Sequence, residues 1–187
     1  MKKASMLAAA LGLLGSVAAC STPAEARTLA AHDESAIPEV TPSKADVDFF
    51  NDATQGGLLE VRLAQLALQK SSNEEVKKYA QRMIDEHGKL NTRLTQIAQV
   101  RRSFTMPTDL DTKHRKIIDD LAKETGSKFD RDYMSRMVDD HQDVVKAFEK
   151  ESKDGTDTDL KTAATEALPT LRDHLNQAKQ IYERVKK

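Results

Sequence analysis

Apolar residues recur at alternating steps of three and four along four stretches of the chain. One stripe runs Ala53, Gly57, Glu60, Ala64, Ala67. A second runs Val76, Ala80, Met83, His87, Leu90, Leu94, Ile97. A third runs Met134, Met137, His141, Val144, Phe148, and a fourth Leu160, Ala164, Ala167, Leu171, His174, Ala178, Ile181, Val185. That spacing puts each stripe on one face of an α-helix turned toward a shared core. Ser43-x-x-Asp46, Ser72-Asn73-Glu74-Glu75, Ser127-x-x-Asp130 and Thr156-x-x-Asp159 offer helix N-caps, and Gly126 and Gly155 stand where helices should stop. The pattern predicts helices at about 44–70, 73–99, 110–124, 128–153 and 157–186, joined by short turns except for Arg101–Asp109, which contains Pro107. No stretch alternates with a period of two. The expectation is an all-α fold: an antiparallel four-helix bundle with helix 110–124 as an accessory on the crossover.

Each stripe carries one residue foreign to an apolar core: Glu60, His87, His141 and His174. A buried carboxylate without a partner is costly, so Glu60 should meet a cation or a donor. Neutral imidazoles with one carboxylate suit a divalent ion, which makes these four residues a candidate mononuclear site for Zn, Fe, Mn or Cu. Met83 and Met137, one turn from His87 and His141, would favour Cu(I) as thioether neighbours, although methionine also fills gaps in cores. The other reading is a hydrogen-bonded polar network that fixes helix register. Tyr79-Ala80-Gln81-Arg82-Met83-Ile84-Asp85-Glu86-His87 parallels Tyr133-Met134-Ser135-Arg136-Met137-Val138-Asp139-Asp140-His141, and Asp173 precedes His174. Each stripe histidine therefore follows an acid, which points about 100° away from it and could serve a neighbouring helix. Gly56, Gly57 and Gly88 lie within a turn of Glu60 or His87, as close helix approach would require, and Pro169 should kink the last helix.

Composition narrows the function classes. The 29 basic and 30 acidic residues leave a formal charge of −1, with no basic surplus for nucleic acid. The single cysteine excludes an intramolecular disulfide. It is Cys20, at the end of Val17-Ala18-Ala19-Cys20, after Lys2, Lys3 and the uncharged apolar run Leu7–Ala19. That run is too short for a membrane span and fits a secretory leader, while small residues before a cysteine resemble the bacterial lipobox. Residues 1–19 therefore read as a lipoprotein signal peptide, and Cys20 as the acylated first residue of a mature chain with charge −3. Ser21 at the next position implies the outer membrane, facing the periplasm. Residues 20–43, with Pro23, Pro38 and Pro42, read as a flexible tether, and 44–187 as the helical domain.

Phe50-x-x-Ala53-x-x-Gly56-Gly57-x-x-Glu60, Met83-x-Asp85-x-His87, Phe129-Asp130-x-x-Tyr133-Met134, His141-Gln142 and Leu168-Pro169-x-Leu171-x-x-His174-Leu175 together resemble a bacterial domain-of-unknown-function family, often labelled as outer-membrane or secreted proteins. The resemblance covers about residues 45–185. It implies a ferritin-like four-helix fold and an envelope location, and no function. Ferritin-like di-iron proteins use Glu-x-x-His motifs. Here Ile84, Val138 and Leu171 stand three residues before the histidines, so a di-iron oxidase or mineral core is not expected. No Ser–His–Asp order, phosphate-cradling glycine loop or Cys–His pair is present. His32 and His114 have no evident partner. The sequence points to a non-enzymatic, lipid-anchored envelope protein with a binding, structural or stress role, held to the membrane through Cys20. The alternative is an envelope metal-binding protein using Glu60 and three histidines. Oxidase chemistry would need a second carboxylate, for which Asp140 is the candidate.

Overall fold

A computed structural model describes residues 41–187. The leader, Cys20, His32 and all but the end of the tether lie outside the described residues. Five helices follow one another: α1 (Lys44–Lys70), α2 (Glu74–Val100), α3 (Thr112–Ala122), α4 (Gly126–Asp154) and α5 (Thr158–Val185). No strand occurs among the described residues, and no helix there is long and apolar enough to cross a membrane.

Helix starts are set by side chains that accept from orphan backbone N–H groups. Ser43 and Asp46 form a reciprocal capping box at α1. The other three N-caps differ from expectation. Asn73 rather than Ser72 caps α2, because its Oδ1 accepts from both Glu75 N and Val76 N. Asp157 rather than Thr156 caps α5, and Thr156 is instead engaged by Asp46. At α4 the N-cap is Thr125, with no side-chain bond, and Ser127 lies inside the helix. Gly126 is likewise not a stop. It opens α4 at φ +59°, a left-handed conformation that favours glycine, and so turns the chain out of α3. Gly155 does end α4.

α1 packs along α2, and α4 along α5; the two hairpins meet where α2 touches α5 and α1 touches α4. α3 lies against α1 and α4. Three apolar clusters fill the interior. The largest surrounds Leu63, Met83, Tyr79, Phe129, Tyr133, Met134 and Met137; a second surrounds Phe50, Leu94, Ile97 and Phe104; a third surrounds Val145, Phe148, Leu168 and Leu171. Phe104, in the long connection, stacks on Phe50 at 4.6 Å, so that segment is part of the core. Arg101 holds the same connection to the start of α5 through Asp157 and Asp159. Each fully buried Leu, Phe or Met contributes about 1.5–3 kcal/mol, and tyrosine, phenylalanine and methionine supply the bulk that tryptophan would.

The buried stripes are wider than the expected seams. Ala53, Leu90, Val144, Ala167 and Val185 are only half-buried, whereas Phe50, Leu59, Leu63, Tyr79, Val145 and Leu168 are covered. A globular helix hides an arc of at least about 100°, more than the two positions per heptad of a seam. Of the three glycines expected at close helix contacts, only Gly57 is at one: a Cβ there would stand 2.4 Å from Asn91 Oδ1, while Gly56 and Gly88 face open space. α5 runs unbroken through Pro169, whose side is exposed.

Candidate metal centre

Glu60, His87, His141 and His174 each sit near the middle of a different helix, and all four are buried. The pairing of α1 with α2 sets Glu60 Oε2 2.8 Å from His87 Nε2. Glu60 Oε1 lies 3.3 Å from His141 Nδ1 on α4. The imidazole rings of His87, His141 and His174 form a near-equilateral triangle, with centroids 5.5, 5.3 and 5.3 Å apart. One nitrogen of each lies within 4.8 Å of the others. Glu60 is beside this set of three nitrogens rather than in it. The sequence-predicted residues are thus brought together from four helices.

Hydrogen bonds fix the direction of two rings. His141 Nδ1 is 2.9 Å from the Met137 carbonyl, which can only accept, so Nδ1 carries the proton and Nε2 a lone pair. His174 Nε2 is 2.5 Å from Glu86 Oε2, so it donates to that carboxylate and leaves its own lone pair on Nδ1. Those two lone-pair nitrogens, His141 Nε2 and His174 Nδ1, face each other at 3.3 Å. Two neutral imidazoles so arranged have no proton to share. The third ring is less settled: His87 Nε2 is near Glu60 in distance but not in hydrogen-bond alignment, and neither of its nitrogens nor Glu60 Oε1 makes a well-aligned hydrogen bond.

Charge tells the same story. Burial pushes the His141 imidazole below its usual pKa, against the pull of Glu60, and pushes His174 down to about 4, against its bond to Glu86. Burial alone would protonate Glu60; positive charge on His141, His87 and His174, with the close His87 N–H, draws its pKa down to about 2. The two tendencies conflict, since two of the imidazoles that would support an ionised Glu60, His141 and His174, are themselves held neutral. His141 and His174 are the neutral pair, because each has its N–H committed to an acceptor. A buried carboxylate among neutral imidazoles lacks a cation.

The surroundings complete the arrangement. Arg82 Nε donates to Glu86 Oε1 at 3.1 Å, and Arg136 Nε donates to Asp140 Oδ2 at 2.7 Å, so the repeated Tyr–Arg–Met–acid–His segment makes the same i,i+4 ion pair twice. The halves then diverge. Glu86 crosses to His174, whereas the Asp140 carboxylate is taken by Arg136. Burial raises Asp140 to about 6. Asp173 pairs with Arg82. Of the three acids that precede histidines, then, Glu86 is the one that reaches a ring on a neighbouring helix. Met83 and Met137 are fully buried one turn below His87 and His141. Sequence reasoning missed the Met137 carbonyl, which has no residue signature, and the Tyr133 hydroxyl, buried without a partner although its repeat mate Tyr79 reaches the His174 carbonyl. His114 pairs with Asp111 at the start of α3, away from the site.

Residues 28–181 match the family model described as Domain of unknown function (DUF4142). No curated protein matches the chain. Among solved structures, a DUF305 fragment from Deinococcus radiodurans is similar, with TM-score 0.66 and 13% identity over 76% of this chain and 98% of that one. CopM in its Cu(I)-bound form is similar with TM-score 0.62 and 21% identity, and in its Cu(II)-bound form with 0.63 and 21%, each covering 74% of this chain and 96% of that one. At such identities the likeness concerns the fold.

Proposed function

The chain belongs to the DUF4142 family, whose description assigns no activity, and on its buried histidine cluster we propose that it is a non-enzymatic metal-binding protein of the bacterial envelope. His87, His141 and His174 hold one ion, and Glu60 offsets its charge. The observation that carries this is the pair of lone-pair nitrogens, His141 Nε2 and His174 Nδ1, facing each other at 3.3 Å. Imidazoles bound to one ion at about 2.0–2.1 Å in tetrahedral geometry have nitrogens about 3.3–3.4 Å apart. Each of these two rings gives its other N–H to a carbonyl or carboxylate, as metal-bound histidines do. The polar-network reading fits less well, because Glu60 Oε1 and both His87 nitrogens make no well-aligned hydrogen bond, close as His87 Nε2 is to Glu60 Oε2. Copper is the first ion to test: imidazole suits it, Met83 and Met137 lie close by, and the fold neighbour CopM has been solved with Cu(I) and Cu(II). The α1–α2 and α4–α5 hairpins form, on this reading, the antiparallel ferritin-like bundle expected from the stripes. The lipobox around Cys20 supports attachment to the outer membrane, facing the periplasm.

Elemental analysis of protein purified without chelator, with melting curves in Cu, Zn, Fe and Mn, tests the proposal. One ion per chain and a raised Tm are expected, both lost in His141→Ala and His174→Ala. Absence of stoichiometric metal together with an unmoved Tm would leave a water- or proton-linked network instead.

A further inference from the structure

A cleft of about 290 Å³ runs between α2 and α5 beside the histidine cluster. His87 and His174 line it, whereas His141 and Glu60 do not. Glu60 lies against His141 Nδ1, the end of that ring turned away from the nitrogen facing His174. Glu60, although its Oε2 is 2.8 Å from His87 Nε2, does not line the cleft. Three protein nitrogens leave one position of a tetrahedral ion unfilled. The cleft is where a fourth ligand can arrive without displacing the core.

The walls select among ligands. Lys89 and Arg93, one turn apart on α2, line the cleft, and neither forms an ion pair among the described residues. Of the two acids there, Glu86 is already bonded to Arg82 and His174, and Glu166 is exposed on α5. Leu90, Ala163, Ala167 and Leu171 supply an apolar flank. Three neutral imidazoles and one Glu60 carboxylate leave a divalent ion with one net positive charge, which one anion would neutralise. Resting on the metal reading above, we propose that this cleft binds a short-chain carboxylate as the ion's fourth ligand. The carboxylate head lies toward the ion, Lys89 and Arg93, and its hydrocarbon tail lies along the leucine and alanine flank. The ligand enters and leaves as an intact anion, and no bond within it changes.

The test uses the Cu(II)-loaded protein and azide, which gives a charge-transfer band only when it coordinates the ion. A saturable band is expected, displaced by butyrate at lower concentration than by acetate. Arg93→Ala and Lys89→Ala should weaken azide binding several-fold with copper affinity unchanged, and Ala167→Phe, which fills the cleft, should abolish the band while copper stays bound. Copper bound stoichiometrically with no azide band, or with a band that carboxylates do not displace, overturns the inference and leaves the metal reading standing. Unaltered azide affinity in both cation variants likewise overturns it. If the wild-type chain binds no copper at all, the reading beneath it fails as well.

Discussion

At the scale of single residues, Asp46 and Glu151 are buried acids with opposite fates. Asp46 is buried, which opposes its charge, yet hydrogen bonds from Thr156 and Ser43 hold its carboxyl down at about 2. Glu151, at the other side of the same helix ends, is raised to about 7 by burial first and the Asp46 charge second. Its Oε1 has no hydrogen-bond partner. Folded, Glu151 keeps its proton to about pH 7; unfolded, it releases it near its ordinary 4.5. Stability from this group is therefore complete below pH about 4.5 and falls as pH rises to about 7. Glu151→Gln should match the wild type in urea melts at pH 4.5 and be the more stable at pH 8; equal stability at both would show that the carboxyl ionises normally. Glu86 belongs to the same scale. Its carboxylate orients His174 without belonging to the three-nitrogen set, so Glu86→Ala should keep one ion per chain but lower affinity about 10–100-fold in a competition titration.

At the scale of helices, the adjacent glycines Gly56 and Gly57 make a controlled comparison on α1. Alanine in place of glycine inside a helix gains about 1 kcal/mol. Gly56 faces open space, so Gly56→Ala should realise that gain in chemical denaturation. At Gly57 the added methyl group would stand 2.4 Å from Asn91 Oδ1 and 3.3 Å from Asn91 Cγ, so the Asn91 side chain must shift. Gly57→Ala should be less stable than Gly56→Ala, and an equal gain would show that Asn91 moves freely. This contact sits three residues from Glu60, on the two helices that bring Glu60 to His87. Close helix approach is what sets a carboxylate against an imidazole there.

At the scale of the whole molecule, four helices each contribute one polar residue at mid-length, so an ion bound there ties together segments up to 114 positions apart in sequence, from Glu60 to His174. An ion that binds only the folded chain stabilises it by about 2.7 kcal/mol at a hundredfold excess over Kd. Chelator should therefore lower Tm cooperatively, without loosening one hairpin first. Outside the helical domain, Cys20→Ser should move the protein from the membrane fraction to the soluble periplasmic fraction; retention in the membrane would rule out the lipid anchor. The sequence by itself determined the five helices, because a 3.6-residue period and local caps are properties of neighbouring residues, and it singled out Glu60, His87, His141 and His174 because polar residues on apolar stripes are visible in one dimension. Exact caps escaped it, since Asn73 and Ser72, or Asp157 and Thr156, compete on local chemistry alone, and Thr156 was claimed by Asp46 from 110 positions away. Only the tertiary structure decided that the histidine nitrogens converge, that Glu60 stands beside them and not among them, and that Glu86 rather than Asp140 reaches a ring. Those facts depend on helix rotation and rotamer. Both are set by packing against other helices, and no local pattern in the chain encodes them.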